Sequence, residues 1–312
     1  MRAIERITIL GGGTMGLSIA KSFAMAGQTV TVYEPNNEVR DAIPAKVQSD
    51  FNLLKEQGLL AELEVQEATQ CIHLASELEA AVEQAQLVIE SVPEQLDLKQ
   101  EVFAQLLQLA PNDAILASNT SSLNLLDVIG AFSESQQQRC LQCHWFNPGH
   151  LIPLVELSDF APTSEETVQA VEQLLQKIGK KTVRVHKNVA GLIANRLQAA
   201  LVREALALYE EEVASPQDLS RAFTYGPAVR FARTGVLEVV DLGGLDVWSA
   251  VLDNLLPQIS QSQEASPLLS EKVKHHQLGV KTGAGLFEYK DPEQRASDFY
   301  LNIIKQVKSL QQ

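Results

Sequence analysis

Two residues in the middle of the 312-residue chain have the types needed for proton transfer. His144 ends an apolar run and is followed by Trp145-Phe146-Asn147-Pro148, and Glu156 lies in the largely apolar stretch Ile152-Pro153-Leu154-Val155-Glu156-Leu157. A histidine and a carboxylate delivered by adjacent segments suit a base and its orienter: the carboxylate fixes the tautomer and stabilises imidazolium. The residue types alone leave a structural histidine, and a glutamate buried beside some arginine, as the alternative.

A second group could hold a dinucleotide. Gly11-Gly12-Gly13-Thr14-Met15-Gly16 satisfies G-x-G-x-x-G at Gly11, Gly13 and Gly16. The first glycine permits a tight turn, the second lets backbone approach a pyrophosphate, and the third allows close helix–strand packing. The helix N-terminus is left aimed at the anion, with Thr14 and Met15 in its first turn. Glu34, at the end of the next apolar run, suits a ribose hydroxyl and would repel a 2′-phosphate, which favours NAD over NADP. Arg40 is close enough in sequence to accommodate a phosphate, but an acid at the strand end outweighs it.

Cys140-Leu141-Gln142-Cys143-His144 has the C-x-x-C-H spacing of haem attachment and contains the C-x-x-C of redox sites. It sits in an apolar strand-like run and not at a helix start. Both cysteines are therefore expected to be small buried hydrophobes. No metal site is expected.

The elements that must position these residues alternate. Apolar strand candidates are Ile7 to Leu10, Thr29 to Tyr33, Leu87 to Ile89, Ala114 to Ala117, Leu141 to His144 and Thr182 to Val185. Helix-periodic stretches such as Met15 to Ala26, Leu98 to Leu109 and Glu165 to Ile178 separate most of them. This is an α/β pattern with a mainly parallel sheet covered on both faces. After Val185 the pattern turns helical: Asn188 to Val213, a helix opening at Ser215-Pro216, and Val236 to Leu256 interrupted by Gly243-Gly244. The expected division is 1–187 for a dinucleotide-binding domain and 188–312 for a helical one.

Composition narrows the partners. A formal net charge of −14 argues against nucleic acid, which needs a basic face. No apolar run reaches the roughly 18 residues of a membrane span. The start, MRAIERITILGGG, leaves no room for a leader, and three cysteines cannot build a disulfide framework. A soluble cytoplasmic protein is expected.

Taken together, the segments resemble the L-3-hydroxyacyl-CoA dehydrogenase family over nearly the whole chain. GGGTMG, VIESVPEQLDLK at 88–99, SNTSSL at 118–123, HWFNP at 144–148, PLVEL at 153–157, AGLIANRL at 190–197 and GVKTGAGLFEY at 279–289 carry the likeness, in matching order. The resemblance implies a Rossmann-type domain followed by an all-helical domain, a homodimer, NAD as cofactor and oxidation of a 3-hydroxyl to a ketone. By the same resemblance His144 is the general base supported by Glu156, and Ser121 and Asn195 hydrogen-bond the reacting oxygen. Asn147 lies near nicotinamide and histidine, Glu94 and Lys99 contact the nicotinamide side, and Lys281 makes a further cofactor contact.

Two stretches depart from the CoA-using members. Residues 34–70 hold three basic groups (Arg40, Lys46, Lys55) against eight acidic ones, poor preparation for a multiply anionic ligand. Tyr225-Gly226-Pro227-Ala228-Val229-Arg230-Phe231-Ala232-Arg233 resembles the L-gulonate and carnitine dehydrogenase branch, where an arginine such as Arg230 could clamp a free carboxylate. The expectation is a 3-hydroxyacyl-CoA substrate such as 3-hydroxybutyryl-CoA, with a small free 3-hydroxy acid as the alternative.

Overall fold

A computed structural model of the chain describes residues 4–160 and 162–311. The chain divides after Ile193 into two compact units. In chain order the first unit holds β1 (Ile7–Leu10), α1 (Thr14–Met25), β2 (Val30–Tyr33), α2 (Asn37–Glu56), α3 (Glu62–Gln70), β3 (Ile72–Ala75), α4 (Leu78–Val82) and β4 (Leu87–Glu90). It continues with α5 (Leu96–Leu109), β5 (Ile115–Ser118), α6 (Leu125–Ile129), α7 (Glu134–Gln137), β6 (Cys140–Trp145), β7 (Leu154–Ser158), α8 (Glu165–Lys177) and β8 (Lys181–Val185).

The strands form one sheet in the order β3-β2-β1-β4-β5-β6-β7-β8. Ile7, Ile9, Val30, Val32, Leu87 and Ile89 are at most 2% exposed, because helices cover both faces and the strands must be apolar throughout. All neighbours run parallel except β6 and β7. The chain from Phe146 to Pro153 between them is too short for the dozen or more residues of a parallel crossover, so β7 returns antiparallel. The architecture is a Rossmann-type, mainly parallel sheet, and the strand order reverses at β1 and β4, where such sheets open a crevice at their carboxyl ends.

Two strands escape a pattern reading. β3 is an edge strand, Ile-His-Leu-Ala, with its two middle residues exposed, so it lacks an apolar run. The run before Leu157 hides β7 because Pro153 and Glu156 break its alternation.

The second unit is helical: α9 (Ala194–Glu210), α10 (Pro216–Tyr225), α11 (Pro227–Thr234), α12 (Val236–Gly243), α13 (Leu245–Leu255), α14 (Pro267–Lys274), a 3-10 turn at Val280–Thr282 and α15 (Pro292–Gln311). α9 starts later than its periodicity suggests, since Gly191 and Leu192 adopt positive φ and turn the chain first. Gly244, at φ 89°, separates α12 from α13. Among the described residues no helix is long and apolar enough to cross a membrane.

Candidate active site

The glycine loop joins β1 to α1 at the crevice. Gly11 has φ +103°, and a Cβ there would stand 2.9 Å from the Ser91 carbonyl oxygen. At Gly16 a Cβ would come within 1.9 Å of the Gly11 carbonyl oxygen, which is why helix and loop can touch only through glycine. A Cβ on Gly13 would meet nothing within 4 Å, so the loop borders open space at that point. Gly13 is also the N-cap of α1, with no side-chain cap and no acid in the first turn. The amides of that turn, with Thr14 and Met15 among them, are left for an anion.

Glu34 closes the far side of the loop. Its Oε2 accepts from the Gly12 N–H at 2.8 Å and its Oε1 from the Asn36 N–H at 2.9 Å. Arg40 donates to the Glu34 carbonyl oxygen at 2.9 Å and to Asn37 Oδ1 at 2.6 Å, so its guanidinium braces the turn. An acid at the end of β2, with the nearby arginine engaged, suits a ribose hydroxyl and disfavours a 2′-phosphate.

A polar platform forms the next part of the crevice. Lys99, 1% exposed on α5, donates to both oxygens of fully buried Glu90 at 2.8 Å and pairs with Glu94 at 3.2 Å. Ser118 at the end of β5 also donates to Glu90. Glu94 Oε1 accepts from Thr120 Oγ1 at 2.6 Å, the Ser121 N–H at 2.9 Å, and Ser122 N–H and Oγ–H at 3.0 and 2.9 Å. Burial opposes the charge on Glu94, yet Thr120, Lys99 and Ser122 outweigh it and draw the carboxyl down to about 2. The carboxylate is therefore a fixed anion that organises the Asn119–Ser122 turn. Loop and platform together line a cavity of about 760 Å³ that includes Gly13, Glu34, Glu94, Lys99, Asn119 and Ser121.

The catalytic candidates sit on the antiparallel pair. His144 on β6 and Glu156 on β7 are directly opposed in register, and Nδ1 lies 2.9 Å from Oε2. Both are buried, at 5% and 1% exposure. A carboxylate partner makes Nδ1 the protonated nitrogen and leaves Nε2 as the proton acceptor. The other oxygen of Glu156 accepts from the Ile193 N–H at 2.9 Å. Phe146 stands edge-on to the imidazole at 5.6 Å. Asn119 ties this pair to the cavity: its Oδ1 accepts from the Trp145 N–H at 2.9 Å, and its Nδ2 donates to Ser91 Oγ at 3.3 Å.

The structure thus groups Gly11, Gly13, Thr14, Met15, Glu34, Glu94, Lys99 and Ser121 at one cavity, with His144 and Glu156 joined to it through Asn119. Asn147 is exposed on the β6–β7 connection. The remaining candidates belong to the helical unit: Asn195 is half-buried in the first turn of α9, Arg230 is exposed on α11, and Lys281 is exposed on the 3-10 turn. Glu90, Asn119 and Thr120 were not singled out from the sequence. Glu90 had a signal, since an acid closing a buried strand demands a buried partner. Cys140 and Cys143 are buried in β6, and burial pushes both thiols up to about 12, which suits packing and not redox chemistry.

The chain is similar to known proteins over most of its length. The family described as 3-hydroxyacyl-CoA dehydrogenase, NAD binding domain, matches residues 6–189, and its C-terminal domain matches residues 191–289. The 5-formyl-3-hydroxy-2-methylpyridine 4-carboxylate 5-dehydrogenase of Mesorhizobium japonicum is 32% identical over 93% of this chain and 92% of its own length. The probable 3-hydroxybutyryl-CoA dehydrogenase of Bacillus subtilis is 33% identical over 92% of this chain and 98% of its own. Among solved structures, a 5-formyl-3-hydroxy-2-methylpyridine 4-carboxylic acid 5-dehydrogenase superposes with a TM-score of 0.87 at 30% identity, covering 98% of this chain and 97% of its own. The (S)-3-hydroxybutyryl-CoA dehydrogenase of Ralstonia eutropha superposes with a TM-score of 0.73 at 28% identity, covering 93% of this chain and all of its own.

Proposed function

The chain belongs to the 3-hydroxyacyl-CoA dehydrogenase family and is an NAD-dependent oxidoreductase; from that premise we propose that it oxidises the 3-hydroxyl of an L-3-hydroxyacyl-CoA, a short one such as 3-hydroxybutyryl-CoA, to the 3-keto compound. The observation that carries the chemistry is the buried His144–Glu156 bond at 2.9 Å, which leaves one imidazole nitrogen ready to take a proton. Bound NAD supplies the hydride acceptor.

His144 Nε2 removes the hydroxyl proton as charge builds on the 3-oxygen, and Glu156 stabilises the imidazolium that results. In the reverse direction the same imidazolium returns the proton. Ser121 and Asn195 act as hydrogen-bond donors to that oxygen, where fixed donors count most. Ser121 is already placed by Glu94, which holds its amide at 2.9 Å. The glycine loop and the first turn of α1 would hold the pyrophosphate and Glu34 the ribose, Glu94, Lys99 and Asn147 would shape the nicotinamide side, and Lys281 would be a further cofactor contact.

A second reading keeps this chemistry and replaces the thioester with a small free 3-hydroxy acid. Three observations favour it. The pyridine-carboxylate dehydrogenase gives a TM-score of 0.87. Of the three basic groups in residues 34–70, Lys55 is paired with Glu62 and Arg40 braces a turn. Arg230 is exposed, with no ion pair among the described residues. One steady-state comparison decides between them. The acyl-CoA reading expects NAD reduction with L-3-hydroxybutyryl-CoA at a higher kcat/KM than with free L-3-hydroxy acids, and little loss on Arg230→Ala. The reverse order, with Arg230→Ala abolishing turnover of the free acid, establishes the second reading.

We also infer a homodimer. In the helical unit Tyr225, Leu237 and Leu242 are 81%, 82% and 76% exposed, an apolar load that a second copy of the same surface would cover.

A further inference from the structure

The connection between β6 and β7 is short, and its two arms carry His144 and Glu156. It is pinned from both sides. From the residue just before β8, the ammonium of Lys180 donates to the Gly149 carbonyl oxygen at 2.6 Å and to the Ile152 carbonyl oxygen at 3.0 Å. The same ammonium stands 5.2 Å from the centre of the Trp145 ring, the residue next to His144. From α1, the helix that opens at the glycine loop, Ser18 Oγ shares a 2.8 Å hydrogen bond with His150 Nδ1 and accepts from the His150 N–H at 3.3 Å. Phe23 on α1 packs edge-on against Trp145 at 5.6 Å.

Lys180 is only 5% exposed, and no carboxylate among the described residues pairs with it. A buried cation without a counter-ion costs free energy unless fixed dipoles surround it. Here two carbonyls and an indole face do so, and those three groups belong to the segment that presents the catalytic pair. Lys180 does not line the cofactor cavity.

We propose that Lys180 is a positioning residue of the reaction: its ammonium locks the β6–β7 connection and so fixes His144 and Asn147 relative to the cofactor helix. This rests on the 3-hydroxy dehydrogenase reading for its kinetic consequence. Geometry is the whole of its contribution, and a misplacement of about 1 Å in a reacting group costs on the order of 10²-fold in rate.

The test compares wild type with Lys180→Met and Lys180→Arg in the intact protein. NADH binding is followed by fluorescence titration, together with kcat, KM and the His144 imidazole titration by NMR. For Lys180→Met the expected result is a fall in kcat per NADH-binding site of about tenfold or more, with NADH affinity and KM changed by less than about threefold. Lys180→Arg, which keeps donors and charge, restores most of kcat. If Lys180→Met does not fold, Lys180→Gln, which keeps a donor for one carbonyl, takes its place. An unchanged kcat per site overturns the proposal, and so does a parallel loss of kcat and NADH affinity. Should wild type turn over no 3-hydroxy substrate, the functional reading fails on its own. The positioning role is then judged by NMR: a displaced His144 titration in the variant upholds it, and an unmoved one overturns it.

Discussion

Each oxygen of Glu156 has its own partner, His144 on one side and the backbone of Ile193 on the other. The first contact was one reading of the residue types, beside a structural histidine and a glutamate buried next to an arginine; the direct register of β6 and β7 is what brings the two together. The second was invisible in the sequence, because a backbone N–H carries no side-chain signature. The same limit hid Thr120 and Asn119, whose importance comes from what stands opposite them. At this scale the sharpest expectation concerns the base. His144→Gln removes the proposed proton acceptor but keeps a group of similar size beside Glu156. It should lower kcat by about 10²–10⁴-fold with NADH affinity retained, as steady-state rates and a fluorescence titration will show. An unaltered kcat removes His144 from the mechanism.

Among elements, the ends of β4 and β5 and the first turns of α5 work as a unit. Glu90 and Lys99 are buried together, and neither is tolerable alone. Glu90→Ala leaves the Lys99 ammonium with Glu94 as its remaining acid partner and should cost about 3–5 kcal/mol, read from denaturant unfolding. A loss below about 1 kcal/mol would mean that the pair is dispensable. Glu94 adds an acid limit. Its carboxyl falls from the ordinary 4.5 to about 2 on folding, so the unfolded chain takes up its proton first. Its contribution is complete above about pH 4.5 and drains away as pH falls toward 2. Unfolding curves between those pH values should be shallower in Glu94→Gln than in wild type. The strands that build this unit were legible as apolar runs, since burial on both faces forces the composition. β3 and β7 were not, because an edge strand exposes its middle residues and because Pro153 and Glu156 together interrupt the apolar alternation around β7.

For the molecule as a whole, net charge and exposed apolar surface make opposite demands. A charge of −14 repels copies at long range, where salt screens it, while leucines such as Leu237 and Leu242 attract at contact. Sedimentation at micromolar concentration should show a dimer that tightens as salt is raised. Joint replacement of Leu237 and Leu242 by Asp should release monomers. A wild-type monomer under those conditions removes the homodimer. The composition showed the charge plainly, and the helical periodicity showed that apolar faces exist. It could not show which faces stay uncovered within one chain, because that depends on how α10 to α13 pack.

The two amides that hold Glu34, those of Gly12 and Asn36, are donors already converged on one anion. Cofactor choice at this position is therefore a competition for a ready-made receptor, with the protein's own carboxylate as the resident ligand. Glu34→Ser would evict that ligand without dismantling the receptor, and Arg40 is braced against the same turn. The vacated donors would then suit a phosphate ester, so the variant should gain affinity for NADP while losing affinity for NAD in paired titrations. The exclusion of NADP would in that case be an occupancy effect, reversible at a single side chain.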